Sequence, residues 1–300
     1  MSNLLLIAIC LTLGVTLRRT GLFPETTPRA LNAWVLYVAL PALVISKLHG
    51  VRLTAEAALP ASMAWLEIAL VVGLVHGIGA MAGWTRETRA GVMLTAGLAN
   101  TSFVGLPLIE ALVGPEGLPT AILCDQLGSF VVVSTVGMAV AGWGSGERPS
   151  ASALAARILR FPSVWAMFGV LAFGDLVPDV LLGALDRLGG TLTPLAIASV
   201  GFQLTLTGGG DGLALGVGLF LKLIVAPAAL LAFYLALGVP PGLGLTVTTL
   251  EAAMAPMITG AILAADAGLA PQLVARMVGI GIPLSMLTVP AWAWALARIG

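Results

Sequence analysis

This chain carries very little charge. Only 9% of its residues are Asp, Glu, Lys or Arg, where a soluble protein has about 25%. The 14 basic and 14 acidic side chains cancel, so no positive surplus points to a nucleic-acid partner. Cysteine is almost missing. Cys10 and Cys124 both sit in apolar runs, which excludes a disulfide-stapled secreted scaffold and leaves two inert buried thiols. The only histidines, His49 and His76, are too few for a His/Glu metal-hydrolase centre. What is abundant is hydrocarbon: 59% of residues are hydrophobic, and the mean hydropathy is +1.05. A soluble fold of this length could not bury that much apolar surface and still present a polar shell. A cytosolic enzyme and a disordered chain are therefore excluded. At about 20 apolar residues per membrane-spanning helix, the 300 residues hold about ten spans and short loops. The start, Met1-Ser2-Asn3 followed by an apolar run, lacks a basic leader region and reads as the first span rather than a removed signal peptide.

Polar and Gly/Pro punctuation divides the chain into segments at 3–17, 28–48, 57–83, 90–113, 117–142, 161–174, 178–206, 212–237, 242–265 and 271–297. The one sizeable hydrophilic break is 143–160, with Glu147, Arg148, Arg157 and Arg160. Loops after odd-numbered segments carry Arg18, Arg19, Arg29, Arg86, Arg89, Arg148, Arg157 and Arg160, against Lys47, Arg52 and Arg298 on the other side. This asymmetry puts the odd loops in the cytoplasm and both termini outside, in a bacterial inner membrane. Trp34, Trp84, Trp143, Trp165 and Trp292 stand near segment ends, where an aromatic belt would lie.

The two halves, 1–142 and 161–300, resemble each other across the 143–160 linker. Leu22, Pro24, Leu31 and Pro41 match Leu176, Pro178, Leu185 and Pro194; Gly91, Leu94, Leu112, Gly117 and Leu118 match Gly242, Leu245, Leu263, Gly268 and Leu269. Because each copy has an odd number of spans, the second must insert upside down. The expectation is an all-α polytopic membrane protein of ten transmembrane helices in two inverted five-helix repeats, a plan typical of secondary transporters.

Segments 4 and 9 should be broken. Segment 4 runs through Asn100, Thr101, Ser102, Gly105 and Pro107; segment 9 runs through Glu251, Met254, Ala255, Pro256 and Gly260. A mid-span proline removes a backbone donor and clashes with the preceding turn. Freed carbonyls must then face protein, water or an ion. On the repeat alignment Asn100 falls opposite Glu251. An intramembrane carboxylate must be paired, protonated or cation-bound, so Glu251 with the oxygens of Asn100, Thr101 and Ser102 suits Na⁺, while Glu251 alone could carry a proton or pair with Lys222 or Arg276. Asp125 and Arg276 are repeat mates too. Either they pair, or Asp125 joins the cation site and leaves Arg276 for a substrate anion. Glu67 and Lys222 read as structural, Gln203 as a helix-contact hydrogen bonder, and His76 among Gly73, Gly77 and Gly79 as part of a close helix contact. Gly208-Gly209-Gly210-Asp211 reads as a turn rather than an aspartyl-protease motif. Gly144-Ser145-Gly146 lacks the downstream histidine of a serine site.

Five motifs kept in order carry a family resemblance: the run 31–43 (Leu-Asn-Ala-Trp-Val-Leu-Tyr-Val-Ala-Leu-Pro-Ala-Leu), Asn100 to Pro107, the run from Pro194 to Gly201, Leu221-Lys222-Leu223, and Ala255-Pro256. Over nearly its whole length the chain resembles the auxin efflux carrier family. The resemblance implies broken helices 4 and 9 that cross. It also implies a scaffold (1–56 with 161–206) beside a moving transport unit (57–142 with 212–300). Its substrates are small organic anions. The long cytoplasmic loop of many plant members is missing. The architecture is also similar to the bile acid:sodium symporter family, in which a segment-4 Asn and a segment-9 Glu help bind Na⁺; Asn100 and Glu251 stand at those places. Ala255-Pro256 replaces the Gln-Asn pair of that pattern, which puts a second Na⁺ site in doubt.

The functional expectation is a transporter, not an enzyme, that moves a small organic anion, a carboxylate, by an elevator-type slide. Asn100, Thr101, Gly105, Pro107, Ala255, Pro256 and Arg276 would bind the substrate. Asn100, Ser102, Asp125, Glu251 and Met254 would bind the coupling cation, with Na⁺ favoured over H⁺ and no cofactor. The partners are the lipid bilayer and the solute, with a homodimer through the scaffold helices. Uncoupled or proton-driven export and a membrane sensor on the same scaffold are the alternatives.

Overall fold

The computed structural model describes residues 2–52, 54–146, 152, 159–204 and 211–299. Helix accounts for 83% of the structure. Among the described residues the only β-type pairing is one isolated antiparallel bridge between Ala99 and Pro256. The linker charges Glu147, Arg148 and Arg157 and the glycines Gly208, Gly209 and Gly210 lie outside the described residues.

Among the described residues seven helices are long and apolar enough to cross a membrane. They are α1 (Ser2–Thr20), α2 (Thr27–Leu48), α3 (Ala55–Met81), α6 (Pro115–Ser145), α8 (Asp179–Gln203), α9 (Gly212–Ala236) and α12 (Pro271–Leu296). The other predicted segments are shorter helices: α4 (Arg86–Ala96) and α5 (Thr101–Leu112), α7 (Pro162–Phe173), and α10 (Leu243–Ala252) and α11 (Ile258–Asp266). Segments 4 and 9 are thus each two helices with a non-helical joint, as their glycine and proline content requires.

Side chains facing outward are largely hydrocarbon, including Leu5, Trp65, Phe168, Phe173 and Leu287. In water such a surface would aggregate; in a bilayer it meets its own kind. Trp34, Trp143 and Trp165 are exposed as a belt requires, and the Arg86 guanidinium lies 5.0 Å from the Trp143 ring centre. Two of the predicted belt residues turn inward instead. Trp84 is buried under Arg89, and the indole N–H of Trp292 donates to the Leu223 carbonyl at 2.9 Å. Span-end position alone does not reveal which way a ring faces. His76 is exposed and Gly73 and Gly77 face open space, so the close helix contact expected there is confined to Gly79, where a Cβ would meet the side chains of Arg89 and Trp84.

Two sets of helices pack among themselves. α1 lies along α8, α2 lies against α7 and α8, and α3 packs on α6, α9 and α10 while α4 packs on α9, α11 and α12. The α1–α8 approach depends on two glycines: a Cβ on Gly14 would overlap the Ala198 carbonyl, and one on Gly201 would overlap that of Leu11. Lipid supplies no hydrophobic drive between helices, so backbone proximity of this kind is what gains dispersion contact. Polar pins add to it. The Ser199 hydroxyl donates to Asn32 at 2.5 Å, Trp34 donates to Thr191 at 3.0 Å, and Lys47 pairs with Asp186 at 2.6 Å.

Candidate functional site

The site begins where two helices stop. α4 ends at Ala96, and the chain is non-helical through 97–100 before α5 starts at Thr101. α10 ends at Ala252, and 253–257 carry the chain to α11. Backbone polar groups exposed by such breaks cannot remain bare at membrane depth. Here the joints satisfy each other: Asn100 N–H donates to Ala255 C=O at 2.9 Å, and Met257 N–H donates to Leu98 C=O at 3.0 Å. Pro256 sits between those bonds and has no donor to offer, so its position costs no hydrogen bond. The two broken helices therefore cross and are sewn together at their breaks.

Asn100 caps α5. Its side-chain carbonyl accepts the Phe103 N–H at 3.2 Å, which leaves its amide nitrogen buried without a partner. One wide turn further on, Gly105 N–H donates to Asn100 C=O at 2.9 Å. Such wide turns recur: Cys124–Ser129 holds Asp125, and Leu221–Val225 holds Lys222. A turn that skips one hydrogen-bond register re-aims side chains and is frequent at functional positions.

Four ionisable groups are buried around the crossing. Asp125 on α6 accepts from Thr101 Oγ1 and Ser102 Oγ, both at 2.5 Å, and from Gln126 Nε2 at 2.7 Å. Lys222 on α9 is ion-paired with Glu67 on α3, and its ammonium also donates to Ala252 C=O at 2.9 Å. That carbonyl is the last of α10, so the lysine supplies the donor that the helix break removed. Glu251, one residue earlier, is fully buried, and neither carboxylate oxygen has a hydrogen-bond partner. The Gly105 backbone lies against this carboxylate so closely that a Cβ there would overlap it. Among the described residues no group of three or more His, Cys, Asp or Glu could hold a transition metal. The oxygens here are carboxylate, hydroxyl and carbonyl, which suit a hard monovalent cation or a proton.

A cavity of about 580 Å³ opens beside the crossing, within the range of small-molecule sites. Its polar wall is Asn100, Ser102, Asp125 and Thr259, with Arg160 as the cation among the described residues. Its apolar wall includes Tyr37, Phe103, Phe130 and Phe161. Phe130 and Phe161 are stacked, with ring centres 4.0 Å apart, across the contact between α6 and the start of α7. Arg160 is placed by its neighbours, since the Trp165 indole donates to the Leu159 carbonyl at 2.7 Å.

The predicted site residues divide accordingly. Asn100, Ser102 and Asp125 line the cavity; Thr101, Gly105, Ala255 and Pro256 form the crossing behind it. Glu251 and Met254 are buried on the far side of the break, and Pro107 lies buried within α5. Arg276 does not join them. It makes no ion pair with Asp125 or Glu251 and is not in the cavity wall, because Asp125 is occupied by hydroxyl and amide donors and Lys222 faces Glu67. Gln203 bonds back to Ser199 on its own helix, and Asp211 caps α9 through Leu213 N–H at 2.8 Å. Arg160, Phe161, Phe130 and Tyr37 are additions to the predicted site. Phe130 within segment 5 and Phe161 at the start of segment 6 carry no motif, and by sequence Arg160 is one loop charge among several.

A helical, multi-pass membrane protein with two crossed, discontinuous helices and a buried carboxylate beside a solute-sized cavity has the build of a transporter. Residues 1–293 match the family described as membrane transport protein. The chain belongs to that family, the auxin efflux carriers. It is similar to an uncharacterized transporter of Methanothermobacter thermautotrophicus, 28% identical over 316 aligned residues that cover 98% of this chain and 97% of the relative. It is also similar to an uncharacterized transporter of Methanocaldococcus jannaschii, 26% identical with 99% and 98% covered.

Proposed function

We propose that this protein is a secondary active transporter of a small organic anion, a carboxylate, that works by elevator-type alternating access and is coupled to a cation at Glu251 and Asn100. The observation that carries the reading is the juxtaposition at the crossing: a buried carboxylate with no donor, directly behind a cavity walled by helices from both packing sets. An uncompensated carboxylate in a membrane interior is too costly to persist unless a cation or proton joins it. Glu251, the Asn100 side-chain oxygen and the opened backbone at the break are the hard oxygen ligands of a Na⁺ site. Asp125, tied to Thr101 and Ser102, stands between that site and the cavity. Na⁺ is favoured over H⁺ because the break offers carboxamide, hydroxyl and backbone oxygens besides the carboxylate, which a bare proton carrier would not need.

The proposed scaffold is 1–56 with 161–206, and the proposed transport unit is 57–142 with 212–300. The packing of α1, α2, α7 and α8 against one another, and of α3, α4, α6 and α9–α12 against one another, supports this division. The cavity lies at the seam between them: Tyr37 and Phe161 come from one set, Asn100, Asp125 and Phe130 from the other. Sliding one set past the other would then carry the site from face to face. The loop charges favour an inner-membrane protein with both termini on the outer side.

The test is thermal stability and solute uptake with and without Na⁺ across pH, on the wild type and Glu251→Ala. The wild type should be stabilised by Na⁺ and the variant should not. Identical responses from both proteins would remove the cation site.

A further inference from the structure

Lys222 is placed at the crossing by a proline. Pro227 has no N–H to close a helical turn on the carbonyl four residues back. The Leu223 carbonyl takes the Trp292 indole instead, and 221–225 opens into a wide turn that buries Lys222. The ammonium has three N–H donors. One serves Glu67 on α3, and one serves Ala252 C=O at the end of α10 at 2.9 Å. The second bond holds the ammonium one residue from Glu251, whose carboxylate is within electrostatic range of it. Neither Glu251 oxygen has a hydrogen-bond partner, and one Glu67 oxygen has none either. A single buried ammonium thus stands between two buried carboxylates and is bonded to one of them. Its flexible four-carbon stem and its bond to the Ala252 carbonyl allow it to turn from Glu67 to Glu251 without leaving the polar interior. A carrier that has released its cation must still compensate Glu251, because a bare carboxylate in a membrane interior is too costly to persist.

We infer that Lys222 is a built-in competitor of the coupling cation: its ammonium turns to Glu251 when the cation leaves and returns to Glu67 when the cation binds. This inference rests on the reading of Glu251 as the cation site. It adds the residue that sets the affinity of that site and fills its place in the empty carrier.

The experiment titrates Na⁺ by calorimetry into the full chain in lipid nanodiscs, with choline holding the ionic strength constant. Both single variants lose a buried partner and with it stability, so the readout is Na⁺ affinity, which structural damage alone would lower in both. Lys222→Met removes the competitor and should tighten Na⁺ binding at least about tenfold. Glu67→Gln leaves the ammonium to Glu251 and should weaken Na⁺ binding at least about tenfold. That is the scale of a unit charge a few ångströms away at the effective dielectric of a protein interior. Glu67→Gln/Lys222→Met strands no charge and should bind Na⁺ at least about tenfold more tightly than Glu67→Gln. This last comparison decides the matter if Lys222→Met alone does not fold. Single variants whose affinities move the same way, or not at all, overturn the inference, as does a double variant no tighter than Glu67→Gln. In those cases Na⁺ binding by the wild type and not by Glu251→Ala would leave the cation site standing. A wild type that binds no Na⁺ overturns both readings.

Discussion

The buried Glu67–Lys222 pair offers a stability measurement whose size follows from the contacts. Both side chains are wholly buried, and the lysine also serves the Ala252 carbonyl at the end of α10. Removing one partner of a buried pair leaves an uncompensated charge, at about 3–5 kcal/mol. Lys222→Met should cost that amount plus about 1–3 kcal/mol for the carbonyl left without a donor. Glu67→Gln spares the carbonyl bond and should cost about 3–5 kcal/mol alone. In the double variant Glu67→Gln/Lys222→Met no charge is stranded. Its cost should fall to the carbonyl term, about 1–3 kcal/mol, well below the sum of the singles. With 1 kcal/mol worth about 2–4 °C in a protein of this size, each single variant should melt at least about 6 °C lower and the double should recover most of that. Thermal melts of detergent-solubilised protein, read by intrinsic tryptophan fluorescence, give all three numbers. A double variant that melts as low as the two single losses added together would refute the pairing and, with it, the claim that Lys222 fastens α9 to the break in segment 9.

Other consequences can be checked in the same preparations. The exposed Lys47–Asp186 pair should contribute less than about 1 kcal/mol, so Lys47→Ala should shift the melt by no more than about 4 °C; a loss as large as that of Lys222→Met would contradict the contrast drawn between buried and exposed pairs. Gly105→Ala should abolish the Na⁺-dependent stabilisation while the helical circular dichroism is kept, because the new methyl occupies space held by the Glu251 carboxylate; an unchanged Na⁺ response would place the cation elsewhere. Thr193 on α8 and Glu110 on α5 touch across the seam, hydroxyl to carboxylate at 3.2 Å. The cysteine pair Thr193→Cys/Glu110→Cys should stop transport under oxidant and regain it on reduction, with little background because Cys10 and Cys124 are buried. Transport that continues through the cross-link would exclude a slide of α5 along α8.

The breaks were legible because they are a backbone property. Pro256 forbids a continuous segment 9 and stands at its joint, but Pro107, the proline expected to break segment 4, lies inside α5; that break falls earlier, at 97–100, so the existence of both breaks could be read from the sequence and the place of only one. Which charges would meet was harder. Sequence offset made Asp125 and Arg276 look like partners, but a helix face turns by about 100° per residue, and the wide turns at Cys124–Ser129 and Leu221–Val225 shift that face again. One skipped hydrogen bond is enough to send Asp125 to Thr101 and Ser102. Aromatic walls were harder still, since Phe130 and Phe161 have no polar signature and meet only because α6 and α7 pack side by side.

Scarcity of charge acquires a positional meaning from this geometry. Glu67 and Lys222 neutralise each other, and Lys222 mends a helix end. Asp125 is satisfied by the neutral donors Thr101, Ser102 and Gln126. Of the carboxylates around the crossing only Glu251 has no donor at all. In a bilayer interior that state must end in protonation or cation binding. The carboxylate lies against the Gly105 backbone of α5, so whatever binds it also bears on the joint between the broken helices. A cation bound there, as proposed, would change the charge behind the cavity and the fit of the two breaks at once, which is the kind of differential contact by which one ligand biases a two-state equilibrium felt by another.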